Sequence, residues 1–370
     1  MSFAPAIADE AKIRALNSLS IRGLTSMFDD RRQLFCNRLV RTERGLEREG
    51  LSQRYTLMTL MGLRRGEAFG LRNPFNSEGI LNGLVRDMKW IDNIGDLGLL
   101  LWACALIAPE RFEEVYRKLN VAAAIHRDRL AIEEYTMEMA WFLAGLAHGA
   151  LEGQKCIPGL AGLAERSYEI ICNNQGCNGI FGHRASGKKS AGAFRGRLGS
   201  FADQVYPIYA FSKFSSAFAH EEALKRAQAC AETICSAQGP LGQWWWHYDS
   251  RAGRMVGKYP VYSVHQDAMA PMALFALGES SGQDYGTWIF KGLAWIYGQN
   301  ELNFNLCDES AGIVWRCIHL PKPAAYVEQA ASVFGCGPLS KVPTKLRVRF
   351  EDRPYHFGWA LYAFANYGFE

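Results

Sequence analysis

The sequence has no CxxC pair, no nearly apolar run beyond the twelve residues Leu97–Ala108, and almost no surplus of charge. Each gap excludes a class. Ten cysteines scattered without a framework argue against a disulfide scaffold or a zinc ribbon. A twelve-residue run cannot cross a bilayer, which takes about 20 residues. Lys+Arg 41 against Asp+Glu 37 leaves a net charge of +4, too little to point to nucleic acid. The opening MSFAPAIADEAKIRALN places Asp9 and Glu10 ahead of any apolar stretch and does not read as a secretory signal. Reduced, mostly buried thiols in a cytoplasmic protein are expected. Only Cys317 has a histidine nearby, His319, and no GxxxxGK[ST] follows a strand, so neither a metal nor a cofactor is expected.

What is present is 49% hydrophobic and 21% charged, the balance of an ordinary globule large enough for an ample core. Six segments share a small-residue, apolar, nearly Lys-free character at helical period: Tyr55–Leu63, Gly95–Leu106, Glu134–Ala147, Phe201–Phe218, Val264–Leu277 and His356–Tyr367. Apolar residues around most of a helix mean burial on nearly all sides. Amphipathic segments lie between them: Pro109–Asn120, Leu160–Asn173, His220–Ala237 and Asp284–Gln299. The alternation predicts an all-α protein, an (α/α)6 toroid over residues 51–370. Residues 1–50 are expected to form a helical segment packed on it, with Asp29–Gly50 as a solvated helix. Pro207 and Pro271 predict local kinks in two inner helices.

Links from inner to outer helices are short, whereas 174–200, 238–263 and 301–355 are long and leave one rim. Long ordered loops and inner-helix N-termini on the same face place the site there. Within Gln238–Met272, Trp244–Asp249 and Arg254–Val261 read as a β-hairpin. Alternation would put Trp245 and His247 on one face and Trp244, Trp246 and Tyr248 on the other, and Trp244–Trp246 with Tyr248 are the expected platform for a flat ligand. Tyr262, His265, Gln266 and Asp267 open the fifth inner helix. Asp203 and Tyr206 open the fourth, and Asp92 and Glu138 stand near the starts of the second and third. Asp203 and Asp267 are expected to face one another across the mouth as split-pKa carboxylates, with His265 beside them as acid or base. The loop Asn174–Ser200 has five cations and no acid. Arg195 and Arg197 are its expected anion clamp.

Gln238-xxx-Gly242-x-Trp244 resembles the QxxxGxW repeat of squalene and oxidosqualene cyclases, and Gln175-xxx-Gly179-x-Phe181 is a looser copy. That resemblance implies a link between an outer and the next inner helix and, as one alternative, an isoprenoid diphosphate substrate. The DxDD and DDxxD motifs of those enzymes are missing. A single six-hairpin toroid of this length also resembles sugar-active families, the unsaturated glucuronyl hydrolases and N-acylglucosamine 2-epimerases. These imply carboxylates or histidines at inner-helix starts and an oligosaccharide substrate. The reading is an acid/base enzyme for an anionic sugar, with a non-catalytic glycan- or peptide-binding toroid as a further alternative.

Overall fold

The computed structural model describes residues 7–118, 135–184, 196–321 and 345–369. Inner helices run over Gln53–Ala68, Ile94–Ile107, Thr136–Leu151, Ala202–Phe218, His265–Ser281 and Pro354–Phe364. Outer helices precede them in order: Ile7–Met27, Ser77–Arg86, residues 112–118, Leu160–Cys172, Glu221–Ser236 and Gly286–Ile296. The protein is an (α/α)6 toroid.

Small residues let the inner helices approach closely. A Cβ on Gly98 would strike the backbone of Phe142, one on Gly145 the carbonyl of Gly98, and one on Gly62 the carbonyl of Gly358. These contacts join the second inner helix to the third and the first to the sixth, so the inner ring closes. Asn17 Nδ2 donates to Phe364 O at 2.9 Å and Gly368 O at 2.7 Å. The first outer helix is thereby fastened to the last inner one as part of the ring.

Two expectations are corrected. Residues 28–51 are not a solvated helix but strands, Phe28–Asp29, Leu34–Thr42 and Gly45–Leu51, with the last two antiparallel. Their charges pair across strands, as Arg38 with Glu49 at 2.6 Å, where an alternating pattern with Val40 and Thr42 suits a sheet better than a helix. Ser77–Arg86, not foreseen, supplies an outer helix capped by Asn76. Of the two prolines, Pro207 sits within a continuous helix, whereas Pro271 follows a π turn at His265–Met269.

Both QxxxG segments are ties between successive outer helices. Gln175 Nε2 donates to Gly179 O and Arg226 O at 3.0 and 3.1 Å; Gln238 Nε2 donates to Gly242 O and Trp288 O at 3.2 and 2.9 Å. Gly179 and Gly242 hold φ of +73° and +94°. A second glutamine in each unit grips the aromatic that ends the motif. Gln204 brackets the backbone of Phe181, and Gln266 Oε1 accepts from Trp244 N–H. The two units are one structural repeat.

Small antiparallel sheets then set the rim. One joins Leu198–Ser200, His247–Asp249 and Arg254–Gly257; another joins Arg347–Arg349, Cys317–His319 and Val261–Tyr262. Glu351–Asp352 pairs with Leu39–Val40 just before the sixth inner helix. The hairpin is therefore shorter than expected, its first strand starting at His247 and not at Trp244.

Candidate functional site

At the N-terminal end of the ring lies a cavity of about 170 Å³. Arg54, Tyr55 and Met58 enter it from the first inner helix, Met137 and Trp141 from the third, and Ala202 and Tyr206 from the fourth. His265, Met269 and Tyr355 come from the fifth and sixth, while Trp246, Tyr262 and Arg316 descend from the rim. Its floor is closed: Trp359 Nε1 donates to Tyr206 OH at 2.9 Å. Below that, Trp102 packs against both His148 and Tyr209, which lie 2.8 Å apart at Nε2 and OH, and Tyr209 OH lies 2.7 Å from Tyr362 OH. A larger hollow of about 310 Å³ opens at the other end, beside Arg65, Glu279 and Tyr367, away from the rim sheets.

Two guanidiniums border the mouth cavity. Arg54 lies 2.6 Å from Asp96, itself in a first turn capped by Asn93, and over the Trp141 ring at 5.5 Å. Burial works against its charge, but the hydrogen bond and charge of Asp96, with Glu138 behind, hold it firmly protonated. Arg316 lies 3.1 Å from Glu351 and over the Tyr262 ring at 4.9 Å. Glu351 also pairs with Arg38 and Arg353, so the Arg316 side keeps a surplus of positive charge. Each arginine is fixed by one carboxylate and one aromatic face, with donors to spare.

His265 is the imidazole of the cavity wall. It stacks on Trp246 at 5.7 Å and 11°, and Tyr262 and Phe201 flank it. Its Nδ1 is buried without a protein partner. Burial, then the charges of Arg316 and His356, push its pKa well down, so the ring is neutral at pH 7. Burial raises the phenols of Tyr206, Tyr262 and Tyr355.

The structure thus brings together His265, Tyr206, Tyr262 and Trp246 of the expected residues, and separates the others. Asp267 is 0% exposed and bonded to His356 Nε2 at 2.7 and 2.9 Å, with no place in the cavity wall. Asp203, 1% exposed, is likewise behind the wall, held by Ser200 and His183. Trp244, Trp245 and Tyr248 are core residues; the segment is not yet a strand at 244–246, so the alternation does not apply to the tryptophans, and Tyr248 lies on the buried side of the strand His247–Asp249. Trp245 Nε1 donates to Ala237 O, capping an outer helix. His247 lies in the rim strand opposite Ser200 and Gly257. Gln266 is the backbone tie already described. Arg197 faces Asp249 at 3.4 Å and braces the hairpin; Arg195 lies outside the described residues. Glu138 is half-buried within electrostatic reach of Arg54, and Asp92 is exposed, its N–H donating to Asp96.

Arg54, Arg316, Trp141, Tyr55 and Tyr355 were not foreseen. Arg54 had a local signal in the Ser52 cap that starts the first inner helix beside it. Arg316 had none, since a rim sheet carries it inward. Among the described residues no group of three His, Cys, Asp or Glu is arranged to hold a metal, and no helix is long and apolar enough to cross a membrane.

The six-hairpin toroid, with two arginines over aromatic rings and a neutral imidazole at its inner-helix mouth, can be compared with known proteins at the level of fold. No family model and no curated protein matches the chain. Solved structures do. An unsaturated glucuronyl hydrolase specific for heparin is similar at 14% identity and a TM-score of 0.60, over 97% of both chains. An unsaturated glucuronyl hydrolase from Streptococcus agalactiae is similar at 9% and 0.60, covering 99% of this chain and 93% of that one. A possible member of the GH105 family from Klebsiella pneumoniae gives 11% and 0.59, over 99% and 95%. At these identities the likeness is one of fold. The cyclase resemblance is confined to the two QxxxG ties.

Proposed function

We propose that the mouth cavity takes one terminal anionic sugar unit and that the chain is a carbohydrate-active enzyme of the hydrolase or lyase type working by proton transfer. The observation that carries this is the pair Arg54 and Arg316, each stacked on an aromatic ring within one small cavity. A volume of about 170 Å³ suits a single six-membered ring; roughly 150 Å³ encloses benzene. Aromatic faces cover the apolar side of a sugar, and the guanidinium forks suit a carboxylate or sulfate. His265, neutral and with a spare buried nitrogen, is placed to accept or relay a proton. The fold likeness to glucuronyl hydrolases supports the same substrate class.

An isoprenoid cation fits poorly, because the Trp141 and Tyr262 faces already hold cations. The non-catalytic reading has one observation in its favour: the described lining contains no carboxylate, whereas glycoside hydrolysis ordinarily uses a pair. The test is a panel of unsaturated uronyl disaccharides, sulfated and not, scored for binding by calorimetry and for cleavage by release of the reducing sugar. Cleavage supports the enzyme, tight binding without it the binder. Neither with any anionic sugar would end the sugar reading.

A further inference from the structure

A second imidazole, His183, stands outside the cavity lining but between two of the helix starts that contribute to it. Asp203 Oδ2 accepts from Ser200 N–H at 2.8 Å and Ser200 Oγ at 2.9 Å, and lies 3.2 Å from His183 Nδ1. Its Oδ1 is buried with no protein partner. The serine hydroxyl donates to the carboxylate and not to the imidazole, so these three are not a nucleophilic triad. They are two donors on one acceptor, and the histidine is the exposed one, at 31%.

The backbone fixes it too. His183 O accepts from Thr136 N–H at 2.9 Å, and Gly182 O from Thr136 Oγ at 2.5 Å. His183 therefore spans the starts of the third and fourth inner helices, whose Met137 and Ala202 form cavity wall on either side. A proton on Nδ1, directed at the carboxylate, leaves Nε2 as the working nitrogen, and no described residue hydrogen-bonds it.

The structural repeat supplies an independent argument. Gln204 and Gln266 grip Phe181 and Trp244 in equivalent fashion. The residues just before them, Asp203 and His265, thus occupy equivalent places on neighbouring inner helices. One unit presents an imidazole there; the other presents a carboxylate that carries one.

We propose that His183 is a second proton-transfer residue of the site, that Asp203 is the positioning residue that holds it, and that His183 and His265 divide the acid and base roles. This rests on the sugar-enzyme reading. In hydrolysis the base takes a proton from water as its oxygen bonds to the anomeric carbon. The acid gives a proton to the departing glycosidic oxygen, so one proton is gained and one lost.

The test compares His183→Ala, Asp203→Asn and the double variant on whichever uronyl disaccharide the wild type cleaves fastest, with melting temperatures recorded. His183→Ala lowers kcat by roughly 100-fold or more while KM stays within about two-fold, and added imidazole restores part of the rate. Asp203→Asn lowers kcat less and adds nothing on the His183→Ala background. Unchanged kcat in His183→Ala, or a loss that imidazole cannot restore and that tracks a lower melting temperature, overturns the proposal while wild-type cleavage leaves the sugar reading standing. A wild type that cleaves none of the disaccharides overturns both.

Discussion

His356 Nε2 sits 2.7 Å from one oxygen of Asp267 and 2.9 Å from the other, and its Nδ1 sits 2.9 Å from Asp352. All three side chains are buried. Burial alone would lower the imidazole pKa, but the two carboxylates raise it to about 10. Asp267 is pushed up by burial and pulled back by His356. The cluster pins the π turn that carries His265 to the start of the sixth inner helix.

That pin gives stability a pH dependence of known sign. A histidine with a raised folded-state pKa lends stability below its unfolded value of about 6.5 and loses it as pH climbs to about 10. Urea midpoints of the wild type should fall from pH 7 to pH 8, below the range in which the unfolded chain's thiols ionise, and those of His356→Gln should be lower and flatter over the same window. Asp267→Ala should lose about 3 kcal/mol at pH 7, since it breaks a buried pair and leaves His356 with Asp352 as its one carboxylate. A wild-type midpoint that rises over this window would refute the charged assignment.

Affinity for the acidic group should reside in Arg316. Arg316→Lys keeps the charge and loses the fork, so binding of a uronate should weaken by roughly 10-fold, about 1.4 kcal/mol, with neutral sugars unaffected. Arg54→Lys should have the smaller effect, because Asp96 already takes its charge. Calorimetry at two salt concentrations separates the two. Equal losses for charged and neutral ligands would place the anion elsewhere.

The tryptophans should divide by role. Trp244, 0% exposed, packs on Phe201. Its replacement by Ala should cost about 3–5 kcal/mol. Trp246→Ala should leave the denaturation midpoint much closer to wild type and weaken ligand binding. Loss of binding from Trp244→Ala at full stability would reverse the assignment.

Gly242 should tolerate no side chain. At φ +94° a Cβ would strike the carbonyl of Lys291 on the next outer helix. Gly242→Ala should destabilise by more than about 1 kcal/mol. Gln238→Ala should be milder, by about 1–3 kcal/mol, through loss of both amide bonds at 2.9 and 3.2 Å. A neutral Gly242→Ala would mean the tie yields.

The inner ring was legible because small apolar residues around a helix have few other uses. Starts expected near 55, 95, 134, 201, 264 and 356 fall at Gln53, Ile94, Thr136, Ala202, His265 and Pro354. Strands at 34–51 were hidden because charges spaced along a strand also suit a solvated helix until the partner strand is known. At the site, His265, Tyr206, Tyr262 and Trp246 could be read from their position at the rim. Asp267 looked like a lumen acid because a first-turn carboxylate suits a helix start, and only the fold shows that His356, 89 residues away, claims it. Arg316 gained its role from sheet pairing that no local pattern encodes.

The Asn17 clasp has a consequence for how the chain acquires its shape. Its acceptors are 347 and 351 residues away in sequence, so the first outer helix meets its partner after every intervening hairpin has a place to stand. Contacts of such separation carry a high loop-closure cost and slow the approach to the native state. The ring has a seam, and it can close only once both the helix Ile7–Met27 and its partner Pro354–Phe364 are in place; until then the apolar side of the first outer helix lacks that cover.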